Sequence, residues 1–403
     1  MIKSFSILQY RHIRLLWLGQ VLSAFGDRFF EIAVVWISVQ IVGSEAGFVL
    51  AAGSIARLIL GLFGGVYADR WDRQKTMIIV DVLRTLAILS LPIATFLGEI
   101  SLLHLAIIAA IEGGLSAVFD PALQASLPHL TSNTKELLAG NALLDVTSRM
   151  ARIFAPGLAG LALAFFPLTH FFTLDAISFG ISALALFAIG RNFHWRPEPV
   201  KSTAKGIKGI FADIKGALIL VYANKPVFYS LLSYIPGNIV WSGVMMVGLA
   251  LLADGKLDVG VQGYSFLITA YGVGSVLSNL VVGSATIHKR ARLLFIGVVV
   301  FGLGIILLGI SRSYTMALAA MLLASIGTPM SDLMIIVMIQ EEFPSNQVGK
   351  VYSLRLTISS LGFSLGLLIA AYLFQWIAVP TGILLSGLAL LFVGLAGVVR
   401  FRK

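Results

Sequence analysis

Asp27 and Glu31 stand four residues apart inside a long apolar run (14–42), so on a helix they share one face, a single turn apart. Two carboxylates at that spacing in a low-dielectric surrounding cannot both ionise at little cost, and one is expected to keep its proton. That is the chemistry of a proton carrier. Glu112, beside Gly113-Gly114 in another apolar run, is a third candidate for the same role. The competing reading is that Arg28, or another arginine within an apolar run, simply neutralises the pair. Arg57, Arg149 and Arg152 form the complementary set. Asp145, Arg149 and Arg152 recur at i, i+4 and i+7 and therefore share a helical face. Two readings stand: salt bridges (Asp145 with Arg149, Arg152 with an acid of the first run), or a positive surface for an anionic or zwitterionic molecule. Trp36, Asn238, Trp241 and Tyr271 are candidates to line the same binding space by stacking and hydrogen bonding. Asp175 is expected to make structural hydrogen bonds, and Asp332 an interhelical pair or gate.

The elements that position these groups follow from composition. Of 403 residues, 58% are hydrophobic and only 12% charged, about half the charged fraction of a soluble domain. A soluble core cannot hide that much apolar surface, so lipid must be the solvent for much of it. The net charge of +10 is not gathered into a basic soluble face, which argues against nucleic acid as a partner. Cysteine is absent and the six histidines are scattered, so thiolate chemistry is excluded and no metal site is expected. No hydrolase, metalloprotease or nucleotide-binding signature is present, and the chain is not expected to be an enzyme. The first apolar run is too long for a cleaved secretory leader.

A helix needs about 20 residues to cross the hydrocarbon. Breakers then divide the chain into twelve predicted spans: 14–42, 46–68, 76–97, 102–127, 137–165, 169–190, 226–252, 262–285, 292–310, 315–339, 351–374 and 380–399. With the N-terminus inside, most Lys and Arg fall on cytoplasmic segments, Lys350 and Arg355 among them. External loops keep only Lys256 and Arg312, and Arg28, Arg57, Arg84, Arg149 and Arg152 stay within spans. This asymmetry matches the positive-inside rule and places both termini in the cytoplasm. The predicted organisation is an N-terminal six-helix bundle (1–190), a cytoplasmic linker with an amphipathic segment (191–225) and a C-terminal six-helix bundle (226–403). Pro121 and Pro329, Gly140 and Gly349, and the basic loops at 70–75 and 288–292 repeat at a near-constant offset, as in a duplicated transporter.

The loop after the second span reads Gly65-x-x-x-Asp69-Arg70-x-Asp72-Arg73-Gln74-Lys75. It resembles the signature loop of the major facilitator superfamily, G-x-x-x-D-R/K-x-G-R/K-R/K, with Asp72 in place of glycine and Gln74 interrupting the basic run. "FDPALQASLPHL", "TLDAISFGISALAL" and "DIKGALILVYANKPVF" are similar to the branch of twelve-helix exporters of drugs, macrolides and the siderophore enterobactin. "LSAFGD" (22–27) is similar to bacterial lysophospholipid transporters. The stretch 155–160 resembles the G-P-x-x-G-G motif of antiporters at Pro156 and Gly160. The resemblance implies an all-α integral membrane fold of two pseudo-symmetric bundles. It also implies a conformational latch made of Gly65, Asp69, Arg70, Arg73 and Lys75, with Asp120 or Asp81 as acidic partner. The expected function is proton-coupled efflux of a small amphipathic molecule by alternating access. The proton gradient is the energy source and no cofactor is expected; the protein works as a monomer, multi-pass in a bacterial inner membrane. A lysophospholipid flippase or importer of the same fold, and a non-transporting receptor or scaffold, are the alternatives.

Overall fold

The computed structural model describes residues 6–68, 71–98, 100–190, 207–285 and 287–402, leaving the side chains at 6, 62–68, 207–213 and 345 undescribed. Turns apart, the described residues are helical: α1 (Arg11–Val42), α2 (Ala46–Ala68), α3 (Arg73–Leu97), α4 (Leu102–Leu130), α5 (Thr134–Ala162), α6 (His170–Ile189), α7 (Ile207–Ala223), α8 (Lys225–Asp254), α9 (Gly260–Ser284), α10 (Arg290–Gly309), α11 (Tyr314–Glu342), α12 (Ser345–Trp376) and α13 (Val379–Arg400). Each predicted span falls on one of these helices, and α7 carries the amphipathic segment. The fold is all-α and membrane-spanning.

Among the described residues, ten stretches are long and apolar enough to cross a membrane. The first, Arg11–Gly61, runs through the short 3₁₀ turn Gly43–Glu45 and so contains α1 and most of α2. Of the twelve predicted spans only α5 falls short, because Asp145, Arg149 and Arg152 crowd its middle. A helix about 43 Å long, at 1.5 Å per residue, carries these charges only if they face protein or water.

Polar residues fix the helix ends. Asp72 caps α3 by accepting from the Lys75 amide at 3.1 Å. Ser101 caps α4, Asn224 caps α8 and Ser313 caps α11 in the same way. At α5, Asn133 accepts from the Glu136 amide while Glu136 accepts from the Ser132 amide at 2.8 Å, a reciprocal cap of the kind that ends fraying. Gln74 acts as a cap too, since its amide nitrogen donates to the Leu186 and Gly190 carbonyls at 2.7 and 3.2 Å and closes the end of α6. The residue that interrupts the basic run is thus a structural one.

The chain forms two compact units, residues 1–41 with 52–203, and residues 42–51 with 204–403. In the first, α3 packs along α6 and α4, around Leu16, Met77, Val80, Phe119, Leu123, Leu127 and Leu186. Close approach of α1 and α6 depends on Gly19 against Ser182 and Gly26 against Asp175 and Ser178. In the second, α10 packs on α11 and α13, and α8 on α12. Gly297 and Gly327 meet backbone to backbone across α10 and α11, the small-residue crossing that lipid-solvated helices use. The helix α8 includes a π-helical turn at Gly243–Gly248.

Candidate functional site

The most polar feature inside the first unit centres on Arg84 of α3, which is 4% exposed. Its Nη2 donates to Ser116 Oγ, Ser116 Oγ donates to Glu112 Oε1 at 2.6 Å, and Nη2 lies 3.6 Å from that carboxylate. Nη1 lies 4.0 Å from Asp81 Oδ1. The rings of Phe119 and Phe179 cover the guanidinium at 5.3 and 4.8 Å, which lowers the cost of burying it. Asp27 and Asp175 complete the group: Asp27 interacts electrostatically with Glu112 and Arg84, and Asp175 with Asp27, Glu112 and Arg84. Helices α1, α3, α4 and α6 each supply one or more of these residues.

The charge balance is uneven. Asp27, Asp81, Glu112 and Asp175 surround one arginine, and burial removes the water that would screen them. Asp81 is 0% exposed and sits beside Arg84 and Ser182; Asp175, also 0% exposed, leaves Oδ2 unpartnered. Burying carboxylate oxygens without hydrogen-bond partners is costly.

The sequence-predicted residues divide. Glu31 pairs with Arg28 three residues before it, so it does not share a proton with Asp27 across the helix face. The i, i+3 guanidinium reaches the carboxylate first, and Asp27 joins Glu112 instead. Arg57 forms an ion pair with Asp120 at 2.6 Å, both side chains more than half exposed. This pairing corrects the expectation that Asp120 serves the loop cations. Asp81 is not their partner either, being enclosed beside Arg84. Arg73 donates to the Ala125 carbonyl at 2.7 Å, and Lys75 contributes its amide to the Asp72 cap. Asp69 and Arg70 lie outside the described residues, as does any side-chain environment at Gly65. Arg149 is paired with Asp145 at 2.8 Å on the exposed face of α5.

Trp36 is 3% exposed and packed within the protein, which corrects its place in a lining. An indole ring fills core space better than almost any other side chain. In the second unit, Trp241 Nε1 donates to Tyr271 Oη at 3.1 Å, which hydrogen-bonds Thr328 Oγ1 at 2.5 Å. These three come from α8, α9 and α11 and remain half-exposed. Asn238 spends its amide on the Tyr234 carbonyl at 2.8 Å, one turn back. A second arginine cluster lies nearby in sequence: Arg355 Nη2 stands 3.5 Å from Asp332 Oδ1 and 3.4 Å from Tyr234 Oη, and Tyr234 donates to Asp332. Asp332 therefore makes the expected interhelical pair. Arg355, assigned to a cytoplasmic segment by charge counting, is 9% exposed inside α12.

Sequence reasoning missed Arg84 and Asp81 as parts of the site. Their i, i+3 spacing in an apolar run was the available signal, but the partners on α1, α4 and α6 are visible only in three dimensions.

A family model described as transmembrane secretion effector matches residues 2–402. The MFS-type transporter YfiS of Bacillus subtilis is 23% identical, over 94% of this chain and 90% of its own length. Macrolide efflux protein A of Streptococcus pyogenes is 21% identical over 92% and 91%. The enterobactin exporter EntS of Shigella boydii is 24% identical over 84% and 79%. Among solved structures, a bacterial homologue of the iron transporter ferroportin in an inward-facing state matches with a TM-score of 0.71 at 17% identity, covering 96% of this chain and 98% of that one. A POT family transporter in complex with 5-aminolevulinic acid matches with a TM-score of 0.73 at 13% identity, covering 98% and 97%. At these identities the two structures speak for the fold.

Proposed function

Because the chain belongs to the transmembrane secretion effector family of major facilitator transporters, we propose that it is a secondary active exporter that exchanges protons for a small amphipathic molecule. The observation that carries the proton half is the surplus of carboxylates around Arg84. With Arg84 among four acids, and the neighbouring Arg28 already paired with Glu31, protons are the natural remaining counter-ions. Asp27 and Glu112 are the members with solvent-accessible surface, so they are the ones that exchange protons with water. When Glu112 is protonated its attraction for Arg84 falls, and the Arg84–Ser116–Glu112 chain loosens. When it is deprotonated the chain tightens. That change in α3–α4 cohesion is the link to alternating access of the two six-helix halves.

The efflux relatives support the outward direction and the amphipathic cargo. The sequence pattern supports both termini in the cytoplasm of a bacterial inner membrane, with the protein working as a monomer. Trp241, Tyr271 and Thr328 offer stacking and hydroxyl groups suited to an amphipathic cargo. In the signature loop, the latch rests on Arg73 and the Asp72 cap, since Asp120 is engaged by Arg57.

The test is transport by purified protein in liposomes carrying an imposed pH gradient, with a panel of macrolides and siderophores. Wild-type protein should accumulate at least one of them. Asp27→Asn combined with Glu112→Gln should cut pH-driven accumulation about 10-fold or more, in line with loss of an essential proton-transfer group. Undiminished pH-driven transport by the double variant would sink the exchange mechanism.

A further inference from the structure

Of the five arginines that fall well inside the first unit's predicted spans, four have a carboxylate partner. Arg28 has Glu31, Arg57 has Asp120, Arg84 has Glu112 and Asp81, and Arg149 has Asp145. Among the described residues Arg152 has no carboxylate partner. Its strongest electrostatic neighbours are Arg28, Glu31, Arg149 and Asp145, which are two complete ion pairs. Each of those two cations has its own acid, and Arg152 is the one of the group without a carboxylate in ion-pair distance.

The position makes that charge significant. Arg152 lies about 27 Å along a helix of about 43 Å, near mid-membrane, where an uncompensated ion is costly. It is not hidden. Helix α5 has a buried seam (Leu143, Thr147, Ala151, Ala155) and two exposed faces flanking it. One exposed face is apolar, with Val146, Met150, Phe154 and Leu158, and suits lipid. The other carries Asn141, Asp145, Ser148, Arg149 and Arg152, all exposed. No helix presents such a row to hydrocarbon, so this face lines a water-accessible space. A guanidinium there, with its fork of donors free, is a receptor for a carboxylate, sulfonate or phosphate.

We propose that Arg152 is the anion-recognition residue of the transported molecule, and that the cargo is an amphipathic anion. The inference rests on the transporter reading and narrows its cargo. Arg57 and Arg149 take no direct part, because their charge is already spent on Asp120 and Asp145. Arg149–Asp145 instead holds the edge of the site, one turn away on the same face.

Equilibrium binding to purified full-length protein, without any ion gradient, tests this separately from proton exchange. The probes are 1-naphthoate and its neutral counterpart 1-naphthamide, read by calorimetry in detergent. Wild-type protein should bind the naphthoate more tightly than the naphthamide. Arg152→Gln should weaken naphthoate about 10-fold or more, the loss expected of a charge-assisted hydrogen bond, and leave naphthamide within about twofold. Arg152→Lys should restore part of the preference, and Arg57→Gln, whose charge is paired with Asp120, should retain it. No charge preference in the wild-type protein, or an equal preference in Arg152→Gln, would overturn the proposal. Unchanged binding in the Asp27 and Glu112 double variant, with pH-driven transport lost, separates a failure of exchange from a failure of recognition.

Discussion

Asp81 and Arg84 are three residues apart and buried together, yet the structure gives them different weights. Arg84 is the buried cation at the centre of four carboxylates and is enclosed by two aromatic rings. Removing it leaves buried acids with no counter-charge, a change that costs about 3–5 kcal/mol. Arg84→Met should therefore lower the thermal midpoint sharply or abolish folding, measured by melting in detergent. Asp81 has the weaker support, with Arg84 Nη1 at 4.0 Å and Ser182 beside it. Asp81→Asn removes a potential charge and keeps the shape, so its midpoint should stay at or above that of the wild type. A large loss in Asp81→Asn would show that the carboxylate's charge is needed beside Arg84. The sequence made the acids and arginines countable, and the apolar runs told which were in the membrane. Local pairs could be read, Asp145 with Arg149 and Arg28 with an acid of its own helix, but the Arg84 group could not, because Arg84 collects its partners from several helices. Glu31 illustrates the reverse: its partner was three residues away, but Asp27 at four residues was an equally good local candidate.

Helix ends and crossings were better written. Asn133 followed by Glu136 is a capping pattern, and it caps. Gly297 and Gly327 could be seen in sequence as glycines, but their meeting across α10 and α11 could not. A side chain at Gly327 would be driven into the α10 backbone, where well-packed helices have no room to yield. Gly327→Leu should destabilise the second unit by about 1–3 kcal/mol or more, seen as a lower midpoint; Gly349→Ala, in open space at the start of α12, should change it little. Equal effects would show that the α10–α11 crossing is not close-packed. Helix α5 is the element whose sequence most openly states a function. Its charges exclude it from the purely apolar spans, and a helix kept in the membrane despite them has water or ligand on one side.

For the whole molecule, the distribution of Lys and Arg predicts orientation, and the absence of cysteine makes the prediction simple to check. Single cysteines at Lys256 and Arg312 should react with a membrane-impermeant maleimide in intact cells. Cysteines at Lys289 and Arg402 should react only after the membrane is opened, and the opposite pattern would reverse the topology. By itself the sequence determined the class, the membrane-spanning helical character and the family, since these depend on hydropathy, length and local motifs that act within one helix at a time. The grouping of residues 42–51 with the second unit, the Arg84 and Arg355 clusters, and the isolation of Arg152 were decided only by tertiary structure. Ion pairing depends on distances of a few ångströms between helices, and a one-dimensional pattern does not encode which charge is left without a partner.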